Sequence, residues 1–403
     1  IRYLFAEAIA VDENGVALPV LPTLPSRYDL KKIENNIREE LSLADPREGG
    51  GDLSMTTMIS QNVVDMVDSF CEAAAGATSD VGDEGCLNDE GLPTDGLLHD
   101  LNIASIMNSL ASSLRKLPED TFVLPYRPAH SPQHEEAANM CQIALLPALH
   151  EIESTVKRNI LNPLCYALNR RIGSEIAKMH RGIYMEDTTD KSSMEGSFVE
   201  QNLSNVYDAI AINLLSKLPA EYSSIVGSTI TAYSLYSFVS NASLVRPLGE
   251  VGRLRITQDL ADFELALEQL MFKVGSSTML NQVHCGKPYA ELRAVRQMLF
   301  WNGLEKKDAS GSDIAKQMLR EAWIKDVRPS TAFHLLFSFA PRLLSSPHHS
   351  KRMDAKEYVD TLVNLDASVD DGESQSLMTT MSCCDAYQQR ESVDMGTCSG
   401  DRR

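Results

Sequence analysis

The chain has 403 residues and a formal net charge of −19 at pH 7, from 37 basic and 56 acidic side chains. Apolar residues make up 43% and charged residues 23%, which is ordinary globular usage and argues against a fully disordered chain. The excess of carboxylates argues against whole-surface binding to nucleic acid or anionic lipid, because both need clustered positive charge. The sequence contains no apolar run near the roughly 20 residues that span a bilayer.

The start of the sequence and its cysteines bear on the cellular location. The chain begins with Ile1, and its first residues lack the basic region and cleavage pattern of a signal peptide. The eight cysteines include no C-x-x-C pair, which is typical of reduced thiols rather than of a disulfide or zinc framework. We therefore expect a cytosolic protein, and we expect this sequence to be the C-terminal part of a longer one.

The first hundred residues alternate between helical patterns and breaks. Residues 1–60 mix short helical signals with joints rich in proline and glycine, and a regular apolar helix face follows over residues 55–74. The segment at about 76–100 is acidic and rich in glycine, which predicts a disordered, solvated insertion. A calcium loop is the alternative, but the D-x-[DN]-x-[DN]-G order with its closing glutamate is absent.

Apolar residues recur at helical spacing along the rest of the chain. A proline-rich loop near residues 124–134 precedes a clear helix over 145–160, with Pro147 near its predicted start. A later helix opens at Pro329, a favourable first-turn residue. Further apolar stripes lie at 203–214, 220–245, 260–271, 289–299 and 314–323. Strand alternation is nearly absent and no fixed repeat is visible, so we predict an all-α fold of stacked, irregular helical bundles.

Along the 260–271 stripe we expect the acidic residues to face solvent. These residues are Asp259, Asp262, Glu264 and Glu268. The whole chain is predicted to have four parts. They are residues 1–137, helical segments with flexible loops and the acidic insertion; 138–245, a helical bundle; 246–365, a C-terminal helical bundle; and 366–403, a polar tail with one short helix.

Motifs for catalysis or metal binding fail at defining positions. His134 and His150 each begin an H-E-x-x-H pattern, but Ala138 and Ser154 replace the second histidine that a helical zinc site requires. Gly286-Lys287 resembles the end of a phosphate loop, but a proline follows where Ser or Thr must contact Mg²⁺. We therefore predict no catalytic residue, no metal ligand and no cofactor.

A basic loop within residues 241–267 is the most unusual local feature. Arginines surround two glycines just before a long amphipathic run, which is compatible with a phosphate cradle at a helix start or with a hinge between helical layers. A bare G-x-x-G without a preceding strand is too weak for a dinucleotide site, so the hinge is favoured. The predicted hinge residues are Pro247, Gly249 and Gly252. The predicted helix-anchoring or partner-contacting residues are Arg246, Arg253, Arg255, Arg293 and Arg296.

One ordered set of segments resembles a known family. The run SLVRPLGEVGRLRITQDLADFELALEQL resembles the signature segment of subunit five of the conserved oligomeric Golgi complex. MCQIALLPALHEIESTV resembles the helix before it in that family, and KPYAELRAVRQMLF and DVRPSTAFHLLFSFAPRLLSSPHHSKRM resemble the helices after it. The likeness is strongest over about 241–363, weaker over 141–240 and not visible before about residue 137.

The resemblance implies a non-enzymatic, elongated helical-rod subunit of a Golgi vesicle tether. Such a subunit acts in intra-Golgi retrograde transport and Golgi organisation through helix-mediated assembly. The implied partners are subunits six, seven and eight and, through the complex, SNAREs, Rab GTPases and coat proteins. The implied location is the cytosol and the cytoplasmic face of the Golgi membrane. A helical adaptor or scaffold of another trafficking complex is the alternative, and the co-purifying subunits distinguish the two.

Overall fold

The computed structural model separates the chain into two compact units. Unit 1 contains Ile1–Arg171 and Asp208–Gly227, and unit 2 contains Ile172–Tyr207 and Ser228–Arg403. The residues that the structure describes are 29–45, 52–79, 82, 84–127, 131–180, 184, 197–245, 248–273, 280, 282–305 and 317–339. The four predicted parts of the chain stay a prediction, as does the elongated arrangement of bundles.

Helices and turns make up the described part of the chain, which confirms the all-α prediction. The helices are α1 Leu30–Ser42, α2 Thr56–Gly76, α3 Asp95–Phe122, α4 Pro132–Val156, α5 Asn162–Ile176, α6 Phe198–Asn202, α7 Ser204–Asn213, α8 Ala220–Leu244, α9 Glu250–Lys273, α10 Gln282–Leu299 and α11 Pro329–Phe339. Among these described helices, each is too short or too polar to cross a lipid bilayer. Helices α5, α7 and α8 contribute residues to both units.

Unit 1 is built around α2, α3 and α4. Helix α1 begins where the Asp29 carboxylate accepts a hydrogen bond from the Lys31 N–H at 3.1 Å, which satisfies one free donor of the first turn. Among the described helices, α2 and α4 form the most extensively packed pair, and α3 packs on α4 as well. Phe70 of α2, Met107 of α3 and Ile152 of α4 are fully buried in this core.

Helix α4 begins much earlier than the sequence pattern predicted. It starts at Pro132, where a first-turn proline is favourable, and the Ser131 N–H donates to His134 Nδ1 at 3.1 Å. Pro147 therefore lies in the interior of α4 instead of near its start. The chain then continues through one π-helical turn, Lys157–Leu161, into α5. The cap at Ser131 ends the predicted proline-rich loop sooner than its composition suggested.

The described part of the predicted acidic insertion is ordered. Asn88 Oδ1 accepts hydrogen bonds from the Glu90 and Leu92 N–H groups at 3.1 and 2.8 Å. Gly91 has a φ of 80°, a left-handed conformation that suits glycine in such a turn. Thr94 then caps α3, which begins at Asp95 inside the predicted insertion. Local hydrogen bonds from Asn88 and Thr94 thus order a segment whose charge and glycine content predicted disorder.

Unit 2 is built around α9. The rings of Phe238 in α8 and Phe263 in α9 stack with centroids 4.2 Å apart, and α6 and α10 also pack on α9. Helix α10 has a non-helical residue at Gly286, with φ 60° and ψ −146°, so its regular part follows this kink. Helix α11 begins at Pro329, as predicted.

Candidate functional site

The predicted basic loop leads into α9. Gly249 occupies the position before the helix, and its carbonyl accepts the Arg253 N–H at 2.9 Å. Glycine is a tolerated residue at this capping position. Arg246 and Pro247 lie outside the described residues. The loop joins α8 and α9 inside unit 2, so it connects two helices of one unit and does not join the two units.

Ser338 of α11 forms hydrogen bonds with residues on both sides of this loop, and no sequence pattern predicted them. The Leu248 N–H donates to the Ser338 carbonyl at 3.0 Å, and the Ser338 hydroxyl donates to the Ser243 carbonyl at 3.0 Å. These bonds satisfy backbone groups at the end of α8 and before α9. The connection is therefore tied to a third helix, which opposes the free movement that a hinge requires.

Gly252 has a packing role in the first turn of α9. It is buried, and a Cβ at this position would lie 2.4 Å from the Tyr184 carbonyl oxygen and 2.8 Å from Leu248 Cδ1. Its φ is not in the left-handed region, where the described glycines are Gly82, Gly91 and Gly286. The need for glycine at 252 comes from the close approach of the Tyr184 backbone. The predicted need for unusual backbone angles does not apply here.

Asp259 is buried, so the prediction that it faces solvent is wrong. Only 3% of its surface is exposed. Its Oδ2 accepts the Tyr184 hydroxyl at 2.5 Å, and its Oδ1 accepts the Phe198 N–H at 2.9 Å. Phe198 is the first residue of α6, so this carboxylate holds the start of α6 and Tyr184 against α9. The residues Tyr184, Phe198 and Asp259 are called the Asp259 cluster below.

Burial dominates the electrostatics of the Asp259 cluster. It raises the pKa of Asp259 to about 6, although the hydrogen bonds from Tyr184 and Phe198 oppose this rise. Burial and the neighbouring Asp259 charge also raise the pKa of the Tyr184 hydroxyl. The positive charge of Arg255 acts on Tyr184 in the opposite direction, which places this predicted arginine near the cluster. Arg253, also predicted, is half-buried one turn after Gly249.

A second cluster joins α9 to α10 and contains two more of the predicted arginines. The Tyr289 hydroxyl donates to Glu264 Oε1 at 2.5 Å, and Arg296 Nη2 donates to Glu264 Oε2 at 3.2 Å. Burial, and to a smaller extent the Glu264 carboxylate, raise the pKa of Tyr289 to about 12. The positive charge of Arg293 lowers the pKa and so opposes this rise. Arg296 of α10 thus contacts α9, and Arg293 is exposed, while the helix-anchoring role of both stays a prediction. A contact with a partner stays a prediction for both.

The ion pair between Arg328 and Glu291 in unit 2 was not predicted from the sequence. Arg328 Nε donates to Glu291 Oε2 at 2.7 Å, and the backbone N–H of Arg328 donates to Glu291 Oε1 at 3.1 Å. Its Nη2 donates to the Ser240 hydroxyl at 3.0 Å, and its guanidinium lies 4.2 Å from the centre of the Tyr236 ring. Arg328 therefore joins α8, α10 and the start of α11. Its position just before Pro329 is the local signal that could have drawn attention to it.

The clusters described here serve packing, and none has the geometry of a reactive centre. Their titratable groups bond to one another or to backbone, and no nucleophile and base face a shared cleft in them. Within the described residues, no group of three or more His, Cys, Asp or Glu side chains could hold a metal ion. The absence of a cofactor stays a prediction.

Comparison with known proteins agrees with the resemblance seen in the sequence. Conserved oligomeric Golgi complex subunit 5 of Arabidopsis thaliana is 28% identical over 208 residues, which cover 49% of this chain and 23% of that protein. The mouse protein of the same name is 24% identical over 333 residues, 80% of this chain and 34% of that protein. The chain resembles conserved oligomeric Golgi complex subunit 5.

The similarity covers part of each subunit 5 protein. The chain spans only about a quarter to a third of the length of the two subunit 5 proteins it matches. No family model matches the chain, and no solved structure matches it. The resemblance to subunit 5 therefore rests on the two sequence matches, and the activity and partners of the whole protein are matters for proposal.

Proposed function

We propose that the protein is a non-enzymatic subunit of a Golgi vesicle-tethering complex. The observation that carries this proposal is the match to mouse subunit 5 over 80% of the chain, because a match of that extent includes most of both helical units. The all-α fold supports it, since amphipathic helices offer faces to other helices. The name shared by both relatives describes a subunit of an oligomeric Golgi complex.

The finer proposal concerns place, partners and role. The protein acts in intra-Golgi retrograde transport and Golgi organisation, peripheral on the cytoplasmic face of Golgi membranes. Its direct partners are other subunits of the complex, with six, seven and eight first among them. SNAREs, Rab GTPases and coat proteins contact it through the assembled complex. The predicted assembly through helix faces gives the chain a use that needs no catalytic site.

Acute depletion of the protein in its own cells tests the role in transport. Retrograde vesicles return Golgi glycosylation enzymes, so depletion should displace a tagged resident enzyme from the Golgi and change lectin binding at the cell surface. Re-expression of the wild-type chain at its natural level should reverse both changes, which excludes an off-target effect. Normal enzyme position and normal surface glycans after complete depletion would contradict the transport role.

A further inference from the structure

An exposed apolar stripe runs along α4 in unit 1. Met140, Ile143 and Leu146 are 38%, 66% and 54% exposed, and the exposed Pro147 continues the stripe. Their spacing places them on one face, opposite the buried core face of the helix. The buried residues of α4 are Ala137, Cys141, Leu145, Ala148, Ile152, Thr155 and Val156. Large apolar side chains in a contiguous exposed row are typical of a contact surface.

Helix α2 packs on the core face of α4 and carries a further exposed apolar side chain. Cys141 of α4 lies close to Ser60 of α2, and Thr155 of α4 lies close to Cys71 of α2, since each neighbour acts on the pKa of the thiol. The residue numbers within each pair differ by nearly the same amount, so residue numbers increase in the same direction along both helices. The two helices are therefore parallel. Met58, 58% exposed, therefore lies near the level of Met140 along the helix pair. Both helices therefore carry exposed apolar side chains.

The same two helices carry only negative charge. Their sequences contain no lysine or arginine. Their acidic residues are Asp65, Asp68, Glu72, Glu135, Glu136, Glu151 and Glu153. Burial raises the pKa of Asp68, and the charges of Glu151, Asp65 and Glu72 raise it further, so these four carboxylates lie close together at one end of the surface. Glu153 pairs with Arg115 of α3 at 2.9 Å, on the other side of the stripe.

We propose that the α4 stripe, with Met58 and the carboxylates of α2 and α4, is the docking surface for a basic amphipathic helix of another subunit. The inference rests on the proposed function only in taking the occupant to be a subunit of the Golgi complex. Apolar residues of the incoming helix cover Met140, Ile143 and Leu146, and its flanking lysines and arginines face the carboxylates.

The negative charge of this surface favours a basic helix over a second copy of the chain or an anionic membrane. A second copy of the chain, docked through the same surface, would bring the carboxylates of α2 and α4 against identical groups, and like charges across an interface are repelled. An anionic membrane surface is repelled for the same reason. A basic helix gains from both features of the surface, because it covers the apolar row and neutralises the carboxylates around it.

The surface is tested in the full-length tagged protein, expressed from its own locus, with a photo-crosslinking amino acid at Met140. Two double variants remove one feature each: Ile143→Glu with Leu146→Glu removes the apolar row, and Asp65→Lys with Glu72→Lys reverses the charge. Ile212→Glu is the matched control, because Ile212 is 64% exposed in unit 1 but lies on α7, outside this surface. Circular dichroism melting confirms that each variant folds.

The expected crosslink joins position 140 to a segment of another Golgi-complex subunit that is rich in lysine or arginine and has apolar residues at helical spacing. Each double variant should lower that crosslink by at least about tenfold, since either feature contributes to binding. The Ile212→Glu control should leave it unchanged. If a folded double variant retains the full crosslink, the proposal is overturned.

Other outcomes separate this inference from the proposed function. Recovery of Golgi-complex subunits with no crosslink at position 140, or with a crosslink to an acidic segment, to this chain or to lipid, overturns the docking surface and leaves the function standing. A crosslink to a basic helix of a protein outside the Golgi complex, with no Golgi subunit recovered, supports the docking chemistry and overturns the proposed function.

Discussion

Replacement of Gly252 by alanine should destabilise unit 2 although alanine favours helices. The new Cβ would lie 2.4 Å from the Tyr184 carbonyl oxygen, whereas ordinary contacts begin at 3.4 Å. Either the Cβ or the carbonyl oxygen must therefore move by roughly 1 Å. The obstacle is backbone, which cannot turn aside as a flexible side chain does. Tyr184 is also buried and bonded to Asp259, so its movement would disturb the Asp259 cluster.

The magnitude follows from three contributions to the free energy of unfolding. Overpacking of this kind costs about 1–3 kcal/mol, and weakening a hydrogen bond to a charged group costs up to about 1.5–3 kcal/mol. The helix preference of alanine over glycine returns at most about 1 kcal/mol. We therefore expect the Gly252→Ala variant to lose about 2 kcal/mol of stability.

Urea unfolding followed by tryptophan fluorescence measures this loss, because Trp301 and Trp323 both belong to unit 2 and lie with ring centroids 6.2 Å apart. Gly76→Ala is the control, followed by circular dichroism, since a Cβ at Gly76 would meet no atom within 4 Å. The control should be as stable as the wild type or slightly more so. An unfolding midpoint for Gly252→Ala equal to or above the wild-type value would refute the close-approach argument.

Two further substitutions test the packing clusters of unit 2, and one chemical reaction tests the core of unit 1. Asp259 has a native pKa of about 6 against an ordinary value of 3.8, so the native state holds its proton more tightly and this group's contribution to stability falls as pH rises between those values. Asp259→Asn should flatten the pH dependence of the unfolding midpoint over that range, and an unchanged pH profile would contradict the assignment. Arg328→Ala leaves Glu291, whose side chain is 5% exposed, without its cation and should cost about 3 kcal/mol by urea unfolding. Arg127→Ala, which breaks an exposed ion pair, is the control and should lower the free energy of unfolding by no more than about 1 kcal/mol. Equal losses in the Arg328→Ala and Arg127→Ala variants would contradict a buried ion pair at Arg328. Burial raises the pKa of the Cys71 thiol to about 12, so iodoacetamide should modify it far more slowly in the native protein than in urea, as peptide mass spectrometry can measure. Equal rates would show that the thiol is not buried.

Helix faces were predictable because they depend on local spacing. Leu260, Phe263 and Leu267 were predicted as an apolar stripe, and all three are buried in α9. The start of α11 at Pro329 follows from the preference of proline for the first turn. In both cases the residues that determine the structure are neighbours in the sequence, so a period or a cap is enough to find them.

Residues whose partners lie far along the chain were not predictable in this way. Asp259 bonds to Tyr184 and Phe198, which precede it by 75 and 61 residues, so the local pattern placed its charge in solvent. Arg328 reaches Glu291 over 37 residues. Gly252 was predicted as a hinge residue from its sequence neighbours, whereas the contact that requires glycine there is with a backbone carbonyl 68 residues away, since 252 − 184 = 68. Tertiary contacts decide all three.

Affinity purification of the full-length tagged protein from its own cells, followed by identification of its stoichiometric partners, tests whether the protein is a subunit of the Golgi tethering complex. We expect recovery of the other subunits of the conserved oligomeric Golgi complex, with six, seven and eight retained under the most stringent washing. A monomer free of partners would exclude the tether, and a stoichiometric set of unrelated trafficking proteins would exclude it in favour of a helical adaptor of another complex.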